Sequence, residues 1–309
     1  MKTAYISHRD CLDHDPGEAH PETARRVTAI EDRLIASGLF DLLRHFEAPA
    51  ITRDQLLRIH SPGYLEMLQT IAPRQGFVRL DPDTVMGPAT LGAAHRAAGA
   101  AILAVDLVMS GRADNAFCCV RPPGHHAERS QAMGFCLFNN VAAGVAHALD
   151  AHGVGKVAVL DFDVHHGNGT EDIFLDDERV LFCSTFQHPF FPFTPLLENN
   201  EHRISVPLDA TAKSQEFRTA VTDLWLPALE RFRPEVIFVS AGFDAHRDDD
   251  MSHVSLEDAD FRWVTGQIVE VADRSASGRI VSVLEGGYDY QSLARCVELH
   301  LRVLMGLLQ

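Results

Sequence analysis

Apolar residues fall into two alternating patterns along the chain. Short continuous runs occupy Ala116–Val120, Lys156–Phe162, Val180–Cys183, Arg203–Val206, Val236–Ser240 and Ile280–Leu284. Unbroken apolarity over so few residues predicts strands covered on both faces, because a strand with one wet face would alternate. Longer stretches predict helices over Glu22–Ser37, Ala89–Met109, Asn140–His152, Gln215–Arg231, Leu256–Ala272 and Ser292–Leu308. Gly38, Gly111 and Gly153 stand where helix C-caps belong. Thr52 and Ser214 are read as N-caps. Strands alternating with helices imply parallel β-α-β units. No Pro/Gly/Ser-rich linker divides the 309 residues, so the pattern predicts one α/β domain spanning 1–309. Thr185–His202 has little regular pattern, and long irregular segments in compact domains are often functional.

Composition narrows the function more than the fold. A formal net charge of −16 argues against nucleic acid and against anionic membranes as partners. It leaves room for a cationic substrate. Met1–Cys11 lacks the apolar core of a signal peptide. The richest apolar stretch, Ala97–Met109, is interrupted by Asp106 and falls short of the ~18 residues of a membrane span. Six cysteines without a C-x-x-C pair read as reduced thiols in a cytoplasmic protein.

Ligands of open α/β sheets bind beyond the carboxyl ends of the strands. Four strand ends carry polar groups of catalytic type. Arg121-Pro-Pro-Gly-His-His126 follows the first run, and Asp161-Phe-Asp-Val-His165 closes the second. Ala241-Gly-Phe-Asp244 follows the fifth, and Glu285-Gly-Gly-Tyr288 the sixth. Asp161, Asp163 and His165 are spaced by two, so an extended chain would present them on one face. Carboxylate oxygen and imidazole nitrogen suit zinc and similar divalent ions. Asp244 is the obvious further ligand, and three protein ligands would leave positions open for water and substrate. Pro-Pro-Gly would hold the backbone of His125-His126 rigid. Gly286-Gly287 would allow close backbone approach and present the Tyr288 phenol to a cavity.

Taken together these segments resemble the histone deacetylase family within the arginase–deacetylase fold. The resemblance rests on His20-Pro-Glu-Thr-Ala-Arg-Arg26, His60-Ser-Pro-Gly-Tyr64, RPPGHHA (121–127), GFCLFNN (134–140), LDFDVHHGNGT (160–170), SAGFDAHRDD (240–249) and LEGGYD (284–289). It is closer to the class II branch and its bacterial amidohydrolase relatives, because Asn168 stands where class I enzymes carry a second Asp. The resemblance implies a parallel sheet of about eight strands sandwiched by helices. It also implies a deacetylase using one Zn2+ per chain, held by Asp163, His165 and Asp244.

Carried over position by position, Asp161 becomes the partner of His125 and Asn168 the partner of His126. A carboxylate favours imidazolium and a neutral amide does not. His126 is therefore expected to be the general base and His125 the more cationic partner. Tyr288 is expected to donate to the oxyanion. Gly134, Phe135 and Phe191 would line the substrate channel, with Phe190 and Phe193 competing for the second aromatic wall, and Met251 would stand at its mouth. The family pattern further implicates Asp161, Asp163, His165 and carbonyls near Ser184 and Thr185 in holding a monovalent cation, often K+. Thr23 replaces an inner-cavity Arg of class I enzymes, and Cys136 reads as a packed small hydrophobe.

The expected substrate is an acylated lysine or another acylated amine, and the chain is compatible with a homo-oligomer. An acetylpolyamine or small-metabolite deacylase shares this chemistry, although Met251 supplies no acidic group at the mouth. A binuclear manganese ureohydrolase would need a carboxylate two residues after His165, where Gly167 stands. A non-catalytic acyl-lysine binder would be expected to have lost part of the site.

Overall fold

Strands form where apolar runs can be covered on both sides. In this computed structural model, which describes residues 1–308, they are β1 Thr3–Ser7, β2 Arg44–Glu47, β3 Val78–Arg79, β4 Val85–Met86, β5 Asn115–Cys118, β6 Val157–Asp161, β7 Val180–Gln187, β8 Arg203–Leu208, β9 Val236–Ala241 and β10 Ile280–Leu284. Strands β3 and β4 make a small antiparallel ladder. The other eight form one sheet in the order β2-β1-β5-β10-β9-β6-β7-β8, parallel throughout. This is the single-domain α/β sandwich that the strand–helix alternation predicts.

Each central strand divides its side chains between two cores. Val157, Val159, Phe238 and Val283 pack with residues of helices Thr90–Met109 and Asn140–Ala151. Ala158, Leu160, Val239 and Leu284 pack with helices Arg25–Ala36, Asp258–Ser275 and Tyr290–Leu304. The helix Thr90–Met109 begins one residue after the predicted Ala89–Met109 and contains the apolar run Ala97–Met109. By length and composition it could cross a membrane, yet it is mostly buried inside the protein, as the core helix of a sandwich would be.

Several expectations need correction. Strand β7 runs on to Gln187, so Thr185–Gln187 belong to the sheet and only the chain after them is irregular. Gln215–Arg231 is not one uniform helix: Ser214–Ala220 and Leu226–Phe232 flank a wider π-type turn at Val221–Trp225. Ser214 is the first helical residue rather than the N-cap, and its hydroxyl donates to Asp260. Thr52 does cap, in a reciprocal pairing with Gln55. Gly38, Gly111 and Gly153 all take positive φ just past helix ends. All six cysteines are free and buried.

Candidate active site

The order of the sheet places the chemistry. From β6 the chain steps outward to β7 and β8, then returns to β9 and steps the other way to β10. Neighbours β6 and β9 therefore flank a reversal of winding, where a crevice opens at the carboxyl ends. Asp163 and His165 follow β6, and Asp244 follows β9. Strands β5 and β10 complete a contiguous row and bring in the His125-His126 turn and Tyr288.

Strand β6 ends at Asp161, so the three alternate residues do not share one extended face. Asp161 stays in the sheet, between Ser184 and Ser240 of its neighbours, and turns to His125. Asp163 and His165 lie in the bend beyond. Donor atoms of Asp163, His165 and Asp244 gather within 4.8 Å of one another, and all three residues are buried. His165 Nδ1 lies 3.1 Å from Asp163 Oδ1 and 3.2 Å from Asp244 Oδ2. The outer carboxylate oxygens are engaged: Asp163 Oδ2 accepts from Gly286 N at 2.8 Å, and Asp244 Oδ1 from Val164 N at 3.0 Å. Asp244 Oδ2 is buried and has no aligned hydrogen-bond donor among the described residues. An orphaned anionic oxygen of this kind is costly unless a cation meets it.

The electrostatics concentrate negative charge at this point. Burial alone would lower the His165 pKa, but the Asp163 and Asp244 carboxylates raise it to about 10. Burial pushes the Asp244 carboxyl up, and the negative Asp163 beside it pushes further. A divalent ion would offset the repulsion between the Asp163 and Asp244 carboxylates. Backbone also stays close for this purpose. A Cβ built on Gly286 would lie 2.0 Å from Asp244 Oδ2 and 2.6 Å from Asp163 Oδ2. The donor set, the orphan oxygen and this cradle fit a zinc-like ion.

Two other His-containing clusters fit a metal less well. In Asp106–His147–His152, Arg58 Nη1 points at His147 Nδ1 from 3.5 Å, which favours an Nε2–H donated to Asp106. In His246–Asp258–Cys296, Asp248 N donates to His246 Nδ1, so Nε2–H again faces the carboxylate. Both read as hydrogen-bonded clusters.

The tandem histidines have contrasting partners. His125 Nδ1 is 3.0 Å from Asp161 Oδ2, and His126 Nδ1 is 2.8 Å from Asn168 Oδ1. Burial would lower both pKa values. For His125 the Asp163 and Asp161 carboxylates overcome it and hold the ring near 10. For His126 the charges on His125 and His165 add to burial and drive the ring well below its ordinary value. The two rings thus sit in contrasting surroundings, His125 among carboxylates and His126 beside two other imidazoles.

Above them lies a cavity of about 440 Å³, lined by His125, His126, His165 and Tyr288 at its base. Gly134, Phe135, Phe190, Phe191 and Met251 line its walls. Phe135 adopts φ +70°, a conformation rare for a bulky residue and concentrated at functional sites. Its ring meets Tyr288 edge-on at 5.9 Å. Phe191 meets His126 edge-on at 5.1 Å, while Phe190 stacks on His165 at 5.5 Å. Phe193 is 74% exposed and takes no part. Burial, together with the negative Asp244 and Asp163, raises the Tyr288 pKa even though Arg26 opposes, so the phenol keeps its proton.

Some supporting residues were not assigned roles from the sequence. Glu285 Oε2 accepts from the backbone N–H groups of Gly124 and His125 at 2.6 and 3.1 Å, clasping the histidine turn. Asp249 accepts from the backbone of Tyr288, Asp289 and Met251, tying the Tyr288 loop to the rim. Arg26 lies over the Tyr288 ring at 4.8 Å and donates to Gly287 O at 2.6 Å. Glu22 joins Arg26 to Arg121 beneath the site. The motifs containing these residues were visible, but most of their pairings, such as Glu285 with Gly124 and Glu22 with Arg121, span large sequence separations. Thr23 accepts from Arg26 N through its carbonyl at 3.1 Å, and its hydroxyl lies 3.0 Å from Tyr290 Oη. Cys136 is fully buried, as a small core residue would be.

Known proteins bear on this geometry. The family model for the histone deacetylase domain matches residues 20–304. A histone deacetylase-like amidohydrolase of Pseudomonas aeruginosa is 40% identical, the match covering 89% of this chain and 73% of that one. A probable deacetylase of Methanothermobacter thermautotrophicus is 38% identical over 94% of this chain and 87% of its own length. The human polyamine deacetylase HDAC10 is 34% identical over 99% of this chain and 48% of its own length. The crystal structure of the HDA15 HD domain superposes with a TM-score of 0.93 at 31% identity, covering 99% of this chain and 88% of that one. Sequence and architecture agree over nearly the full length, and the chain belongs to the histone deacetylase family.

Proposed function

We propose that this protein hydrolyses acyl amides of lysine side chains, with a zinc ion held by Asp163, His165 and Asp244. The observation that carries the reading is the orphaned Asp244 Oδ2 beside His165 Nδ1, set at the base of a cavity that His126 and Tyr288 also reach. Zinc in such a site supplies Lewis acidity toward a carbonyl and toward water. The protein supplies the rest. Phe135 and Phe191 hold an apolar four-carbon stem and exclude water along it. His126, with Nδ1 directed to Asn168, offers Nε2 to take a proton from the attacking water and return it to the leaving amine. His125, favoured as a cation by the Asp163 and Asp161 carboxylates, stabilises negative charge nearby. Tyr288 donates its phenolic proton in a hydrogen bond to the developing oxyanion. A monovalent cation beside Asp161, Asp163, His165 and the Ser184–Thr185 carbonyls belongs to the same reading, supported by the pairing of Asp161 with Ser184 across the sheet.

The test combines metal content with turnover. One zinc per chain is expected, along with hydrolysis of acetyl-lysine peptides. Two metals per chain would instead indicate a binuclear ureohydrolase. Gly167 speaks against that, since even a Cβ there would lie 2.2 Å from Asp161 Oδ2. Tyr288→Phe should retain its zinc and lose about 10²–10³-fold in kcat. Undiminished turnover in that variant would remove the phenol from the mechanism.

One observation favours a second substrate. Glu18 and Asp83 stand at the cavity mouth and would attract a cationic acylamine, although Arg79 offsets part of that field and Met251 adds no charge. Comparing kcat/KM for acetyl-lysine peptides, longer acyl-lysines and acetylated polyamines decides between them.

A further inference from the structure

The contact between His126 and Asn168 has a weakness that the surrounding residues answer. A carboxylate partner offers only acceptors, whereas an amide can turn over and present N–H groups to the same ring nitrogen. Turned that way, Asn168 would require a lone pair at His126 Nδ1, and the Nε2 facing the pocket would carry the proton. That tautomer cannot accept a proton from water. The orientation of one amide therefore decides whether the ring can serve as a base.

Asn168 is held from the other side. Its Nδ2 donates to Glu128 Oε1 at 2.7 Å and lies 3.1 Å from Met133 Sδ. An ionised carboxylate can only accept, so Glu128 requires Nδ2 on its side and leaves Oδ1 for His126. Glu128 is itself fixed at both backbone groups. Its N–H donates to Gln131 O at 2.9 Å, and its carbonyl lies 2.9 Å from His60 Nδ1. The thioether is too weak an acceptor to replace it.

We propose that Glu128 is a positioning residue for amide hydrolysis, the third member of a His126–Asn168–Glu128 chain that locks the Nδ1–H tautomer of His126. The negative charge at its far end also polarises the amide, strengthening the bond to Nδ1–H as Nε2 gains a proton. No proton leaves Nδ1 during the cycle: Nε2 takes one from water and passes it to the amine. The proposal rests on the assignment of His126 as the proton carrier, and the experiment keeps the two apart.

In the zinc-loaded protein, Glu128→Gln and Glu128→Ala should lower kcat about 10–100-fold with KM little changed. Long-range 1H–15N spectra should show the Nδ1–H tautomer of His126 in the wild type and a mixture in Glu128→Ala, with the resonance assigned from His126→Ala. A charge cycle supplies the sharpest sign. Asn168→Asp places a second carboxylate against Glu128, so adding Glu128→Gln to it should raise kcat, although the same change lowers kcat beside Asn168. Loss of activity in both backgrounds would mark Glu128 as merely structural and overturn the proposal. So would wild-type kinetics and tautomer in both Glu128 variants while His126→Ala is inactive, an outcome that leaves the assignment of His126 intact. Should His126→Ala remain active, that assignment falls. The spectrum of Glu128→Ala then decides alone, an unchanged tautomer overturning the proposal and a mixed one supporting it.

Discussion

Replacing His126 with Ala is expected to lower kcat by about 10²–10⁴-fold, the range seen when a general acid–base is removed. His125→Ala is expected to cost less, about 10–100-fold, because it removes an electrostatic partner rather than the proton carrier. The reasoning starts from the two Nδ1 contacts. Asp161 and Asn168 stand in equivalent places, at 3.0 and 2.8 Å, and differ in charge. A carboxylate stabilises the imidazolium, so on the proposed mechanism His125 is the ring expected to be cationic. The ring beside it cannot then easily be cationic as well, since the centroids are only 4.0 Å apart. His126 is left as the ring that is neutral and ready to accept. Both variants should keep their zinc, since neither histidine is among the three donors gathered at the metal position. Steady-state kinetics on the two zinc-loaded variants checks the order, and a larger loss in His125→Ala would reverse the assignment.

How much of this was legible in the sequence depended on where each signal lay. Strands β6, β9 and β10 were plain because Val157–Leu160, Val236–Val239 and Ile280–Leu284 are buried on both faces and therefore unbroken. Strand β1 is just as buried, but Thr3–Ser7 is short and borders the chain start. Strand β2 is an edge of four residues with charged and exposed positions, which gives no apolar run at all. The site was readable where its donors immediately follow strands, as Asp163, His165 and Asp244 do. It was less readable where a side chain acts on a distant backbone. Glu285 holds Gly124 and His125 across about 160 residues, and Asp249 holds Tyr288 across 39. Nothing local in either residue announces such a partner. In the channel, Phe190 and Phe191 both line the cavity while Phe193 is exposed, an arrangement set by how the irregular segment folds back over His126 and His165.

The largest loss of stability is expected from Glu22→Gln, which should destabilise the fold by about 3–5 kcal/mol, as breaking one side of a buried ion pair does. Glu22 is fully buried, and so are Arg26 and Arg121. Arg121 donates through Nε and Nη2 to the two Glu22 oxygens, each at 2.7 Å, and its Nη1 holds the carbonyls of Cys11 and His14. Arg26 Nη1 reaches Glu22 at 3.2 Å, and His14 Nε2 reaches it at 3.1 Å. One carboxylate thus faces two buried guanidinium groups, and the neutral amide of Gln leaves both without their counter-charge. The effect should depend on pH in a defined direction. Burial alone would raise the Glu22 pKa, but Arg121 and His14 hold it well below its ordinary value of 4.5. A depressed folded-state pKa gives stabilisation that is complete above the unfolded value and is lost as pH falls through the folded one. The gap between wild type and Glu22→Gln should therefore be constant above about pH 5 and shrink below about pH 4. Urea unfolding of both proteins at pH 7, 5 and 3.5 measures it. A gap that persists undiminished at pH 3.5 would mean that packing of the side chain, rather than its charge, holds this part of the fold. The same network positions the Tyr288 loop, because Arg26 donates to Gly287 O and lies over the phenol ring. Turnover in Glu22→Gln should accordingly fall even at temperatures where the variant remains folded.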